Sequence, residues 1–569
     1  MKIGRGALIS ILIIAVLLTF TLVAAVSAES VDQQAGASLV GKVIDAQNQP
    51  VFEAQVQLLQ DNEVIAEGLT QGDGSFRLTL PAQVEGNLVL RVERQHFKTT
   101  MIDIAAEEFT QLAPDEAVTL PTIELERKIT IAFWVATLVF LGMLLLIALE
   151  KLHNVLAALT GVSLVLGVSY LGKPLINDLF IFDFTRALQY VDWNVIFLIM
   201  GMMIVIAVVE GTGLFHWLAF FAYRVSRGKA WLLMAILMLI TAVASAFLDN
   251  VTTMLLMTPI TVQIALTLGL NPLTLLIPEV LASNVGGIIT LIGTPTNILI
   301  GSYANIPFSG FLSNLSPGVL ISLIGLFVYC LLAYRKDLSE ATSGVSPVLY
   351  KKLEENARIT EPAHLVKAGW VGLGMLVLFL VGEHFHLIPA VTAILGATAL
   401  LIWIRPDVEE MIEAVDWTTL VFFMALFIVV GGIQEVGLIS FLAQFVAGLV
   451  GENLPLAMII VIWVSALFST VVANIPFTAA MLPVVGYLSN TMPGPTSLAL
   501  FFCLSVGSAM GGNGSLIGAS ANMVTAGIAE RAGYPISYAY FFRKGFLALL
   551  ITVGLATIWL LFRFLVLPN

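Results

Sequence analysis

The sequence predicts a polytopic α-helical membrane protein made of two inverted repeats, each of about five spans plus a re-entrant helical hairpin and a broken helix, preceded by a small N-terminal β-sandwich. Three observations carry this. The 569 residues hold only 26 basic and 38 acidic side chains, 11% of the chain, where a soluble protein carries roughly a quarter. Hydrophobic residues make up 58%, more apolar surface than one aqueous core can bury, so most of the chain must use lipid as its solvent. Finally, the chain repeats itself: "VDWNVIFLIMGMMIVIAVVEGTGL" begins at Val191 and "VDWTTLVFFMALFIVVGGIQEVGL" at Val415, a shift of 224 residues.

The charges are unevenly spread. Residues 29–128 hold 17 acids and 7 bases, residues 129–569 hold 21 acids and 17 bases, and the acidity of the chain therefore belongs mainly to one polar domain. Nothing in this balance points to nucleic acid. The composition excludes an ordinary soluble enzyme, and no nucleophile–base–acid set supports a membrane-bound one. Cys330 and Cys503 stand far apart in apolar runs, with no disulfide framework or zinc spacing, and read as small core hydrophobes.

Residues 1–28 open with Lys2 and Arg5, continue as an apolar stretch from Ala7 to Val26 and end in the small-x-small pattern Val26-Ser27-Ala28. This is a signal peptide or a signal anchor, and either places the next domain outside the cytoplasm. Residues 29–126 alternate as strands do: "SLVGKVIDA", "AQVQLLQ", "VIAEGLT", "SFRLTL" and "NLVLRVER" are separated by the turns "QNQP", "DN", "QGDG" and "VEG". The pattern Gly41-x-Val43-x-Asp45, Pro50, Ala54-x-Val56 and Gly72-Asp73-Gly74-x-Phe76 resembles carboxypeptidase regulatory-like domains. Without a catalytic constellation, the domain reads as a structural or docking module.

From 129 onward the chain is membrane repeat 1 (129–335), a polar cytoplasmic linker (336–366) and membrane repeat 2 (367–566). Expected spans are 130–149, 153–171, 193–210, an interrupted pair within 230–270, 275–302, 314–334, 367–383, 387–404, 417–434, a second interrupted pair within 455–490, 497–528 and 543–565. The two pairs contain "FLDNVTTMLLMTP" and "STVVANIPFTAAMLP". Polar residues and proline at membrane depth suit hairpins buried in protein, entering and leaving on one side. Fourteen basic residues, among them Lys151, Arg224, Lys336, Lys351, Lys352, Arg405 and Lys544, fall at predicted cytoplasmic ends; only Lys173, Arg186 and Arg563 fall outside. Five crossings per half turn the second copy upside down, the layout of transporters that work by alternating access.

Four polar segments lie at membrane depth. Asp249-Asn250-Val251-Thr252-Thr253 pairs with Asn474-Ile475-Pro476-Phe477-Thr478. The glycine-rich Ser283-Asn284-Val285-Gly286-Gly287, Thr290 and Gly293-Thr294-Pro295-Thr296-Asn297 pair with Gly511-Gly512-Asn513-Gly514-Ser515-Leu516-Ile517-Gly518-Ala519-Ser520-Ala521-Asn522. Asn250 and Asn474 differ by 224; Gly293 and Gly518, and Asn297 and Asn522, differ by 225. Such residues also mediate tight helix packing, but four segments matched across two halves favour an ion site. Unwound spans expose carbonyls for a hard cation such as sodium, and half-helix N-termini favour an anion. Asp249 heads the candidates because an ionisable group at membrane depth is costly; its partner position is Ala473. Glu279 stands near the start of the broken span, before its break, and is a weaker candidate to line the pathway. Glu210 and Glu435 read as helix-end or interface residues, Asp192 and Asp416 as helix N-caps beside Trp193 and Trp417, and His384 and His386 as solvated loop residues.

These motifs resemble the ion transporter superfamily, in the branch of arsenical-pump membrane proteins and NhaD-type sodium/proton antiporters, and within it the P protein (pink-eyed dilution) subgroup. The resemblance rests on "SAFLDNVTTMLLMTPITV", "SNVGGIITLIGTPTNILIGS" and "GGNGSLIGASANMVTAGIAERAGYPIS", and covers about residues 130–565. It implies a secondary active ion transporter, coupled to sodium or protons, that moves a small anion or exchanges sodium for protons by an elevator-like movement. It also implies ion or substrate contacts at Asp249, Asn250, Thr252, Thr253, Gly293, Thr294, Pro295, Asn297, Asn474, Thr478, Asn513, Ser515, Gly518, Ser520 and Asn522, with sodium at Asn250, Gly293, Asn297, Asn474, Gly518 and Asn522. A homodimer in the plasma or inner membrane, with no cofactor beyond a coupling sodium ion or proton, completes the expectation. The alternative is an anion channel or ligand sensor on the same body.

Overall fold

The computed structural model describes residues 38–45, 50–80, 88–104, 117–149, 151–339, 355, 357–451, 453–491 and 498–567. The expected leader 1–28, most of the "QNQP" turn, the "VEG" turn, Lys351, Lys352 and much of the 336–366 linker lie outside the described residues. The chain divides into two compact units, 1–128 and 129–569.

The first unit is a sandwich of two four-stranded sheets. One joins β1 (Ser38–Asp45), β4 (Ser75–Thr79), β7 (Ala117–Thr119) and β8 (Ile123–Leu125); the other runs β3 (Glu63–Leu69), β2 (Gln55–Gln60), β5 (Leu88–Glu93) and β6 (Thr100–Ile104). Alternation puts Leu39, Val43, Val56, Leu58, Phe76, Leu90 and Val92 into the shared core. The three short strands β6, β7 and β8 are additional to the five expected. Gly41 faces Phe76 across the β1–β4 pair, where a Cβ would lie 2.7 Å from the ring. Asp73 accepts from the Ser75 hydroxyl (2.6 Å) and amide (3.0 Å), and these bonds hold its carboxyl below the usual range. The sequence motif thus builds a turn and a core contact.

The second unit is helical. Its first half comprises α1 (Ile131–Ala148), α2 (Asn154–Gly167), α3 (Trp193–Glu210), α4 (Leu214–Ser226), α5 (Ala230–Phe247), α6 (Asn250–Thr267), α7 (Leu273–Gly286), α8 (Pro295–Ala304) and α9 (Phe308–Ala333). The second half repeats them as α10 (Pro362–Val381), α11 (Pro389–Ile404), α12 (Trp417–Glu435), α13 (Leu438–Val450), α14 (Leu454–Ser469), α15 (Asn474–Thr491), α16 (Ala499–Gly511), α17 (Ser520–Arg531) and α18 (Tyr538–Leu565). Nine of the described helices are long and apolar enough to cross a membrane.

The expected spans omit α4 and α13. Each has 13 residues, about 20 Å at 1.5 Å per residue, too short for a span-length search to find. Each follows a glycine with positive φ, Gly213 at 78° and Gly437 at 93°, a conformation glycine adopts without steric cost. The hairpins form as α5–α6, reversing at Leu248–Asp249, and α14–α15, reversing at 470–473; Pro259 and Pro483 sit inside the second helix of each. The broken helices form as α7–α8 and α16–α17. After α7 the chain makes a 3₁₀ turn at Gly287–Ile289 and an extended step to Thr294; after α16 it makes one at Gly512–Gly514.

Candidate functional site

Small residues let the broken helices reach the hairpins. A Cβ on Gly293 would lie 2.6 Å from Ser245 O and would collide with Gly287 O; on Gly518 it would lie 2.9 Å from Ser469 O and 2.8 Å from Gly512 O. Two carbonyl oxygens therefore converge beside each glycine, one from the hairpin and one from the broken helix. Polar side chains fasten the same joints. Thr290 Oγ1 donates to Ala246 O, and Ser515 Oγ donates to Thr470 O at the matching place in the second half. Asn297 Nδ2 donates to Ile288 O (3.0 Å) and Thr290 O (2.7 Å), and Asn522 Nδ2 donates to Gly512 O and Ser515 O (2.8 Å each). Each asparagine thus ties the start of its second half-helix back across the break, satisfying carbonyls that no helix ladder serves.

The two halves meet through buried amides. Asn250 Nδ2 at the start of α6 donates to Asn284 Oδ1 (2.9 Å), and Asn284 Nδ2 donates to Oδ1 of both Asn513 and Asn522 (2.9 Å each). Asn513 Nδ2 reaches back to Leu281 O (3.3 Å), and Ser505 Oγ donates to Asn297 Oδ1 (2.6 Å). None of these asparagines is more than 3% exposed. In a site closed to water, satisfied amide networks specify one arrangement and leave little room for another.

The structure therefore gathers Asn250, Asn513 and Asn522 into one network through Asn284, ties Asn297 to Ser505 of the other half, and joins Asn474 to Gly518 through an amide–carbonyl bond of 3.3 Å. Thr478 Oγ1 and Thr253 Oγ1 are turned back onto the carbonyls of Asn474 and Asp249. Thr294 caps α8 by accepting from Asn297 N, and Pro295 opens that helix. Ser520 opens α17 without a side-chain cap. Two of these partners, the network's Asn284 and the Ser505 bonded to Asn297, are missing from the expected contacts. Asn284 is visible within its polar motif, whereas Ser505 sits in an apolar run with nothing local to mark it.

Asp249 takes a different place. Its Oδ1 accepts from the amides of Val251 (2.9 Å) and Thr252 (3.0 Å), and its Oδ2 from the Thr252 hydroxyl, so the carboxylate is the N-cap of α6 and is partly exposed. Asp192 caps α3 as expected, and Glu435 at the end of α12 pairs with Arg186 at 3.4 Å and accepts from Tyr190. A cavity of about 510 Å³ opens beside the second hairpin turn, lined by Ala473, Ile517 and Ser520 and by Lys151, His153 and Asn154 of the α1–α2 connection. Among the described residues no cluster of three His, Cys, Asp or Glu could hold a metal.

Comparison with known proteins agrees with this architecture. A family model described as "Citrate transporter" matches residues 143–504, and one described as "Carboxypeptidase regulatory-like domain" matches residues 38–125. An uncharacterized transporter of Mycobacterium tuberculosis is 37% identical over 434 residues, covering 76% of this chain and 99% of its own. The P protein of Homo sapiens is 34% identical over 514 residues, covering 76% of this chain and 59% of that longer protein. The crystal structure of the Alcanivorax borkumensis YdaH transporter aligns with a TM-score of 0.45 at 14% identity, over 66% of this chain and 85% of that one.

Proposed function

The chain belongs to the citrate transporter family, and on that premise we propose that this multi-pass membrane transporter is a secondary active carrier. It moves a small anion in a step coupled to sodium or protons, with the hairpins and broken helices shifting together in an elevator-like movement. The observation that carries this reading is the buried amide bridge from Asn250 through Asn284 to Asn513 and Asn522, which closes the two halves on each other at the two breaks. Water-free breaks of this kind are where carriers bind ions.

The donor atoms suit sodium. Gly287 O and Ser245 O converge at Gly293, and Gly512 O and Ser469 O at Gly518, neutral oxygens of the type a hard cation takes. Asp249 caps the first hairpin turn with a carboxylate, while Lys151 in the cavity beside the second provides positive charge for an anion. The carrier works as a homodimer with its β-domain outside the cytoplasm.

Reconstitution in liposomes tests the function, with citrate, sodium and chloride as probes under imposed sodium and proton gradients. Saturable uptake driven by one of these gradients is expected, reduced at least tenfold in Asn284→Ala, because the loss of one bridging amide leaves buried partners unsatisfied at about 1–3 kcal/mol each. Non-saturating currents indifferent to every gradient would instead identify a channel.

A further inference from the structure

One carboxyl takes no part in the network above. Glu279 lies midway along α7 and is 0% exposed. Its Oε1 accepts from Thr241 Oγ1 of α5 (3.3 Å) and from Thr261 Oγ1 of α6 (3.1 Å). Its Oε2 is buried with no hydrogen-bond partner among the described residues, and so is Thr258 Oγ1, one turn before Thr261 on the same helix. Hairpin and broken helix thus close around a carboxyl group with hydroxyls alone.

Among the described residues no charge is paired with it. α5 and α6 contain no ionisable side chain. The other helices packed on α7 are α9, α16, α17 and α18. Their ionisable groups include Cys330, Cys503, Glu530, Arg531, Arg543, Lys544 and Arg563, and among the described residues none of them hydrogen-bonds or ion-pairs with Glu279, whose polar contacts are the two threonine hydroxyls. Both hydroxyl contacts are longer than the roughly 2.5–2.7 Å of an O–H donor on an ionised oxygen. A carboxylate stripped of water and of counter-charge is strongly disfavoured, so this arrangement suits the neutral acid. Glu279 is also one helical turn from Ser283 and five residues from Asn284, so a change in its charge is felt at the amide bridge.

We propose that Glu279 is the proton-binding site of this transporter, occupied in the present conformation and emptied when hairpin α5–α6 parts from α7. On release the Oε2–H bond breaks, the proton passes to water and the electron pair stays on the carboxylate. The proposal rests on the carrier reading above and names its coupling ion.

Two measurements on the full-length protein test it, using Glu279→Gln, which keeps shape and removes titration, and Glu279→Asp, which restores a carboxyl. Infrared difference spectra recorded while pH is stepped across neutrality should show a protonated carboxyl band in the wild type. That band should fade as pH rises, be lost in E279Q and reappear shifted in E279D. A band that persists in E279Q, or wild-type spectra without a titrating buried acid, overturns the assignment. In liposomes, the pH dependence of citrate uptake should be lost in E279Q while its sodium dependence remains; loss of the sodium dependence with an unchanged pH profile makes Glu279 a cation ligand and also overturns it. The spectra require no transport, so a titrating band that disappears in E279Q together with absence of flux under any gradient sinks the carrier reading and leaves the proton site standing.

Discussion

The two halves of the membrane unit share their joints and differ in their contents. Gly286 lies against Ala242 and Gly511 against Ala466; Gly293 and Gly518 receive matching carbonyls; Thr290 and Ser515 tie matching loops to matching hairpin turns. What fills these joints diverges. Asp249 faces Ala473 in the repeat, Thr261 faces Val485, Glu279 faces Leu504 and Asn284 faces Ala509. The backbone break is thus a property of the repeat, whereas ionisable chemistry belongs to the first half.

Exchanging the residues at one matched pair is the strongest way to break the comparison. Leu504 is fully buried on α16, and Leu504→Glu puts an acid there with no prepared hydroxyl pair. An uncompensated buried charge costs about 3–5 kcal/mol, so this variant should lose most of its monodisperse protein on size-exclusion chromatography. At the matched position, Glu279→Gln keeps an acceptor for the Thr241 and Thr261 hydroxyls and should leave folding near neutral while abolishing the pH dependence of uptake. Equal damage from both would show that the halves do not differ in the way described.

The next test is whether the joints are alike. Gly293→Ala and Gly518→Ala each drive a methyl against backbone oxygens closer than 3.0 Å. Overpacking of this kind costs about 1–3 kcal/mol, and backbone on both sides leaves no flexible side chain to yield. Both variants should lower the thermal unfolding temperature, Gly293→Ala by more because its neighbours are nearer. Tolerance at one glycine alone would mean that only one half is tightly closed.

The joints were also the most legible part of the chain. A repeat offset of 224 to 225 residues locates both hairpin turns and both helix breaks without any structure, because the glycines, prolines and asparagines recur at matched positions in both halves. The contents were less legible. Asn284 and Asn513 are 229 residues apart, and periodicity describes only neighbours along the chain, so no pattern announces that they touch. Asp249 draws attention because acids are rare in spans, yet Asp-Asn-Val-Thr is also a helix start, and the cap takes both of its oxygens. Glu279 has no such local signature; its meaning comes from Thr241 and Thr261, 38 and 18 residues away. Helices α4 and α13 escape for a simpler reason, since neither reaches the length of a span.

The smallest expected effect separates two hydroxyls at matching positions. Thr241 and Ser465 are both fully buried and stand 224 residues apart, but Thr241 donates to Glu279, whereas Ser465 Oγ, in the half that has Leu504 at the acid's position, has no partner among the described residues. A made hydrogen bond contributes about 0.5–1.5 kcal/mol net, while a buried hydroxyl without one is a cost already borne by the fold. Thr241→Val should therefore lower the unfolding temperature measurably and alter the pH dependence of the wild-type carboxyl band, because Glu279 Oε1 loses one of its two donors. Ser465→Ala should leave both unchanged or raise stability slightly, the small cavity offsetting the relief of an unsatisfied group. If Ser465→Ala destabilised the protein as much as Thr241→Val, then the second half would hold a polar partner for Ser465, and a hydroxyl bonded at this position would no longer distinguish the two hairpins.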